Sequence, residues 1–156
     1  MNTNIEAGAG GGAQVTARAE CEAALVEVLE TMFFELPAEG STLAGAPPDA
    51  AIAVTAAFAG DLNGSLSLAS GLHALRRLTA NFLGREDALT VTDAEIRQVA
   101  CELANMVCGN ALSRIEPHGR FRIATPELRM PGPGPRHWIT FPLESGDISV
   151  TLESGS

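Results

Sequence analysis

Apolar positions along the chain change period several times, and each change marks an element. From about Thr16 to Leu36, Leu25, Val28, Leu29, Met32 and Phe33 recur at helical spacing, and Pro37 and Gly40 stop the run. Ala51–Phe58 alternates instead, with Ile52, Val54, Ala56 and Phe58 on one side, which is strand spacing. Gly60-Asp61-Leu62-Asn63-Gly64 is a hairpin signal, and Ser65–Ser70 returns with Leu66 and Leu68 on one side. Gly45–Asp49 is a turn-rich link. A helix over about Leu72–Phe82 ends at Gly84, and Arg85–Asp87 is a short charged link.

The next helix is the longest apolar-periodic segment with clear ends. Thr92 or Asp93 suits its N-cap, and Glu95 falls in the first turn, where negative charge meets the positive end of the helix dipole. It runs to about Ile115, before Pro117. Phe121–Thr125 reads as a short strand and Pro126–Pro135 as a rigid, donor-poor loop. His137–Leu143 and Asp147–Leu152 close the chain as a hairpin, with Pro142 requiring an exposed edge or a bulge.

The order is therefore helix, hairpin, two helices, three strands. Without repeated strand–helix–strand alternation the pattern fits a doubly wound parallel sheet poorly, and the expected class is α+β: a mainly antiparallel sheet with helices packed on it. One domain over residues 15–156 is expected, after a flexible Gly/Ala-rich tail over 1–14. No internal repeat is visible in the sequence.

Charge narrows the partners. Ten Lys and Arg against nineteen Asp and Glu give a net charge of -9, which repels nucleic acid and anionic lipid. No apolar run approaches the ~20 residues of a membrane span, and no secretory signal opens the chain, so a cytoplasmic protein is expected. Three cysteines and three histidines lack metal spacing, and the early Gly-rich run lacks the Gly-Lys-Ser/Thr of a phosphate loop. No metal or cofactor is expected on this chain.

On the long helix, an advance of ~100° per residue gathers Ile96, Val99, Ala100, Leu103, Met106 and Val107 into a core stripe. Glu95, Gln98, Glu102, Asn105 and Gly109 form a second strip running away from it. Side chains three apart on a helix are neighbours, ~5–6 Å between Cβ atoms, so Glu102 and Asn105 meet. Asn costs ~0.5 and Gly ~1 kcal/mol relative to Ala in a helix, so two weak formers on one outer strip ask for a reason. Asn110 lies beside the core stripe and is expected to be a buried amide bonded to backbone of the next segment; Asn81 is expected to be structural too.

Glu102-Leu103-Ala104-Asn105, followed by Gly109-Asn110, resembles the signature helix of the CheC/CheX/FliY chemotaxis phosphatases, and among them the CheX members. Phe58-Ala59-Gly60 with Gly64 and its apolar strand, Ala80–Gly84 and Pro126 extend the resemblance over nearly the whole chain from about residue 16. Gln98 stands where members often carry Asp or Ser, and one copy of the motif is present where CheC-like members have two.

The resemblance implies a function. The substrate would be a phosphorylated CheY-like response regulator, holding an acyl phosphate on an Asp with its own bound Mg²⁺. Asn105 would orient the attacking water and Glu102 would dock the receiver's lysine, the two forming the catalytic pair. Gln98, Gly109 and Glu95 would contact the partner. A homodimer is implied as well. The alternative is a non-catalytic module of the flagellar-switch type that scaffolds a signalling complex.

Overall fold

The computed structural model describes residues 3–37, 40–47, 51–132 and 136–155, with side chains from residue 17 onward. Its elements are α1 (Thr3–Met32), β1 (Thr42–Ala44), β2 (Ile52–Gly60), β3 (Asn63–Ser70), α2 (Leu72–Leu83), α3 (Asp93–Ile115), β4 (Phe121–Ile123), β5 (Trp138–Leu143) and β6 (Gly146–Gly155). A 3-10 turn at Ala88–Thr90 joins α2 to α3. All six strands form one antiparallel sheet in the order β1-β5-β6-β3-β2-β4. The α+β architecture with helices packed on an antiparallel sheet is thus the observed one.

The pleat explains which face the helices cover. Val54, Ala56 and Phe58 of β2 and Leu66 and Leu68 of β3 point into the core with Ile139, Phe141, Ile148 and Val150. Each buried Leu or Phe of that layer contributes about 1.5–3 kcal/mol relative to exposure. The alternate positions carry hydroxyls that pair across strands. Thr55 Oγ1 and Ser67 Oγ are 2.8 Å apart, and Thr140 Oγ1 and Ser149 Oγ 2.7 Å, so this second face is buried with its polar atoms satisfied.

The strand order contains a repeat that the sequence hides. Exchanging β1 with β4, β2 with β5 and β3 with β6 returns the same sheet, read from the other edge. A shift of 83 residues carries the turn Asp61–Leu62 onto Glu144–Ser145. The same shift carries buried Cys21, Ala24, Leu25, Val28 and Leu29 onto buried Ala104, Val107, Cys108, Ala111 and Leu112. The halves share burial positions but few residues, so the expectation of no repeat is corrected by topology alone.

Other boundaries differ for local reasons. α1 begins at Thr3 rather than near Thr16 and ends at Met32 rather than Leu36. It ends early because Phe34 takes a left-handed conformation, φ 54°, which lets the Glu35 N–H reach back to Leu29 O at 3.0 Å. Asn81 Nδ2 donates to Phe33 O at 2.9 Å and the Phe33 ring stacks on Phe82, so this end is tied to α2, and Asn81 has the structural role expected of it. β1 has no sequence signal, being three exposed residues paired only to Trp138–Thr140. Pro142 lies beyond that pairing, so its missing N–H costs no ladder bond there. Pro48–Asp49 of the expected link and Pro133–Pro135 of the expected loop lie outside the described residues.

Gly60 shows a glycine with a steric cause. Its φ is 141°, and a Cβ there would sit 2.1 Å from the Arg120 carbonyl where β4 begins. β4 in turn places Ile123 against the face of α3 that carries Gly109.

Candidate functional site

The long helix starts where the sequence asks. Thr92 is the N-cap: its hydroxyl accepts from Glu95 N at 3.1 Å while Glu95 Oε1 accepts from Thr92 N at 2.9 Å, a complete capping box. Arg85, from the short link before it, grips the same carboxylate with two nitrogens, NH1 to Oε1 at 2.7 Å. Arg85, with help from Thr92, holds the Glu95 carboxyl down to about 2 from an ordinary 4.5. Glu95 therefore anchors the helix start, a use of the residue that spacing alone could not separate from the rest of the strip. The helix ends at Ile115, before Pro117, with Arg114 in its last turn.

The helix wheel divides as expected. Ile96, Val99, Ala100, Leu103 and Val107 are buried, joined by Ala104, Cys108, Ala111 and Leu112. Gln98, Glu102 and Asn105 are exposed, and Gly109 is half-buried. Neither the Glu102 nor the Asn105 side chain hydrogen-bonds to a described residue, so a carboxylate and a carboxamide face outward side by side. Carboxylate oxygens only accept, whereas the carboxamide both donates and accepts. Such a pair can hold a cation at one end and a water or anion at the other.

Gly109 separates packing from function. A Cβ there would meet only Ile123 Cδ1, at 3.8 Å, which is ordinary contact. Nothing within the fold demands a glycine, and the helix would gain about 1 kcal/mol from alanine. The open space beside it is a groove toward α1.

Asn110 departs from expectation. It is half-buried, and its Oδ1 accepts from Arg114 Nε at 2.6 Å instead of reaching backbone of the next segment. The cause is spacing: four residues along a helix place the guanidinium on the same face, and α1 supplies Glu27 as its counterion. Arg114 and Arg85 are the residues sequence reading missed. The signal for Arg114 was present in the i, i+4 pair with Asn110; Arg85 had none, because its partner is ten residues on. Between α1 and α3 this Glu27–Arg114 contact closes one end of an open groove, whose walls include Met32, Met106 and Gly109.

The thiols are quiet. Burial pushes Cys21 and Cys108 up to about 12, and Cys101, half-buried beside Glu102, is also raised by burial. All three are free. Among the described residues no group of three or more His, Cys, Asp or Glu converges as a metal site, and no helix is long and apolar enough to cross a membrane.

Comparison with known proteins gives this geometry a family. No curated protein matches the chain by sequence. Solved structures do match it in fold. CheX from Desulfovibrio desulfuricans superposes with a TM-score of 0.70 at 20% identity, covering 89% of this chain and 99% of that one. The CheX of a Borrelia burgdorferi complex with CheY, BeF3 and Mg²⁺ superposes with a TM-score of 0.69 at 17% identity, covering 90% and 98%. FliY from Thermotoga maritima is more distant, with a TM-score of 0.58 at 11% identity, covering 97% and 91%. At these identities the likeness is one of fold. The family model described as chemotaxis phosphatase CheX matches residues 52–142, a stretch that holds the β2–β3 hairpin, the whole of α3 and the Glu102/Asn105 pair, and the chain belongs to that family.

Proposed function

We propose that this chain hydrolyses the aspartyl phosphate of a CheY-like receiver, with Asn105 orienting the attacking water and Glu102 docking the receiver's lysine. The observation that carries the reading is the outward-facing pair on α3, uncommitted within the fold and set beside a glycine that the fold does not need. The complex of the Borrelia relative with CheY supports a receiver as the partner.

The chemistry follows from charge and geometry. Hydrolysis of an acyl phosphate is limited by placing a water in line with the leaving carboxylate, and there is little other covalent work for a protein to do. An amide oxygen accepts from that water while its NH₂ donates to a phosphoryl oxygen, and it brings no negative charge near the phosphate. Glu102 would repel the phosphoryl group but suits an ammonium, and a charge-assisted pair there fixes the helix so that Asn105 arrives aligned. Mg²⁺ belongs to the receiver in this scheme. Gln98 and Gly109 contact the partner, and Glu95 serves the same surface by locking the first turn through Arg85.

The same reading takes residues 15–156 as the working domain, with 1–14, helical from Thr3, as an N-terminal extension of α1, and a homodimer as the working unit, its short edge strands β1 and β4 needing cover. A cytoplasmic setting follows from the receiver substrate. Limited proteolysis that trims only the first 14 residues, and a dimer mass by light scattering, are the expected results for these two parts.

The scaffold alternative is separated by turnover. Receivers charged with a small-molecule phosphodonor should lose phosphate faster with wild-type protein for at least one member of a panel. Decay at the intrinsic rate for every receiver, with binding retained, would establish the scaffold instead.

A further inference from the structure

We propose that the groove between α1 and α3 is the specificity surface for the receiver, taking apolar side chains that neighbour its phosphorylated aspartate; this rests on the reading just given. The groove begins beside Asn105, at Met106 and Gly109, and is walled by Val28, Thr31 and Met32 of α1 and by Met106 and Ser113 of α3, with Asn110 and the Glu27–Arg114 ion pair completing it. A stable protein interface buries ~800 Å² per partner, a disc of about 16 Å radius. Gly109 and Ser113 lie about 6 and 12 Å along the helix from Asn105. A receiver seated with its phosphate over Asn105 therefore covers the groove, and the groove's shape bears on which receiver fits.

Two features mark it as a binding surface. Its walls include two methionines, the side chain that adapts to irregular apolar partners. Two residues beyond Met32, Phe34 is 73% exposed while holding a left-handed backbone that Gly or Asn adopts with less strain. The ring adds little burial to this chain, and the position would be easier for Asn. An outside contact would account for an aromatic ring at this place. Along α1 and just past its end, Glu20, Glu22, Glu27, Glu30 and Glu35 occur with no Lys or Arg between residues 20 and 35. Glu27 is taken up by Arg114 and Glu22 by Ser41, so Glu30 and Glu35 are left to face a cationic border on an otherwise apolar matching surface.

The test is binding of BeF3-activated receivers, measured by calorimetry alongside dephosphorylation. Ser113→Trp fills the groove from an exposed position, and Phe34→Asn removes the ring while suiting the backbone. We expect Ser113→Trp to raise Kd at least tenfold and Phe34→Asn threefold to tenfold, both with wild-type melting temperature or higher. We expect kcat at saturating receiver to stay within twofold of wild type, and Asn105→Ala to do the reverse. Wild-type Kd in both Ser113→Trp and Phe34→Asn would overturn the proposal while an inactive Asn105→Ala left the phosphatase reading standing. Unchanged receiver Kd with a lost dimer in Ser113→Trp would assign the groove to a second copy of this chain and overturn it too.

Discussion

Helices α1 and α3 hold equivalent places in the two halves of the fold, yet only α3 presents chemistry. The shift that superposes their buried faces sets Ala19, Glu22 and Val26 of α1 where α3 has Glu102, Asn105 and Gly109. Glu22 accepts from Ser41 Oγ at 3.1 Å, and Val26 packs against the core, so those positions have been absorbed into the fold. A carboxylate in place of the carboxamide would also repel a phosphoryl group. The comparison teaches that the architecture offers two candidate helices and that, on the function proposed above, three side chains decide which one works.

The largest effect expected on that contrast is at the amide. Asn105→Ala should lower kcat for receiver dephosphorylation by about 100-fold or more, the scale of losing a positioned reacting group. Adding Glu22→Asn to Asn105→Ala should recover nothing, since Val26 and Ala19 still block and fail to dock. Any return of activity in a stopped-flow assay would break the distinction between the helices.

Glu102→Ala should act on docking. We expect KM to rise about tenfold with kcat largely kept, as fits loss of one charge-assisted pair. A matching fall in kcat alone would reverse the roles of Glu102 and Asn105.

Gly109 and Val26 sharpen the comparison through stability. Gly109→Ala should stabilise the protein by about 1 kcal/mol, raising the melting temperature by about 2–4 °C, yet weaken receiver binding. Val26→Ala should cost about 1 kcal/mol in denaturant unfolding and leave binding alone. On that outcome the glycine serves the partner and the valine serves the core.

The smallest effect concerns the helix start. Because Arg85 and Thr92 hold the Glu95 carboxyl at about 2 rather than 4.5, its stabilisation is complete above 4.5 and fades as pH falls toward 2. The stability gap between wild type and Glu95→Gln should therefore close over that window. A constant gap from pH 6 to pH 2 would remove the carboxylate from the account.

What the sequence revealed about α3 was strong because its signals are local. Thr92, Glu95 and Pro117 fix the ends within the helix itself, and polar spacing alone set Glu102 and Asn105 on the outer strip. Their chemical roles came from resemblance to a family, since a wheel cannot distinguish a solvated amide from a working one. The repeat of the two halves was illegible because burial was kept while Ala19, Glu22 and Val26 diverged. β1 was missed because three exposed residues owe their strand to β5 rather than to their own pattern. Asn110 was misplaced because its partner is a cation on the same helix, and a buried amide was assumed to look outward for backbone.

The most direct test of the central claim is single-turnover phosphate release from a phosphorylated cognate receiver, with wild type and Asn105→Ala both at saturating concentration. The account predicts rapid release with wild type and decay at the receiver's own rate with Asn105→Ala, although the variant still binds. Equal release by the two proteins would contradict it.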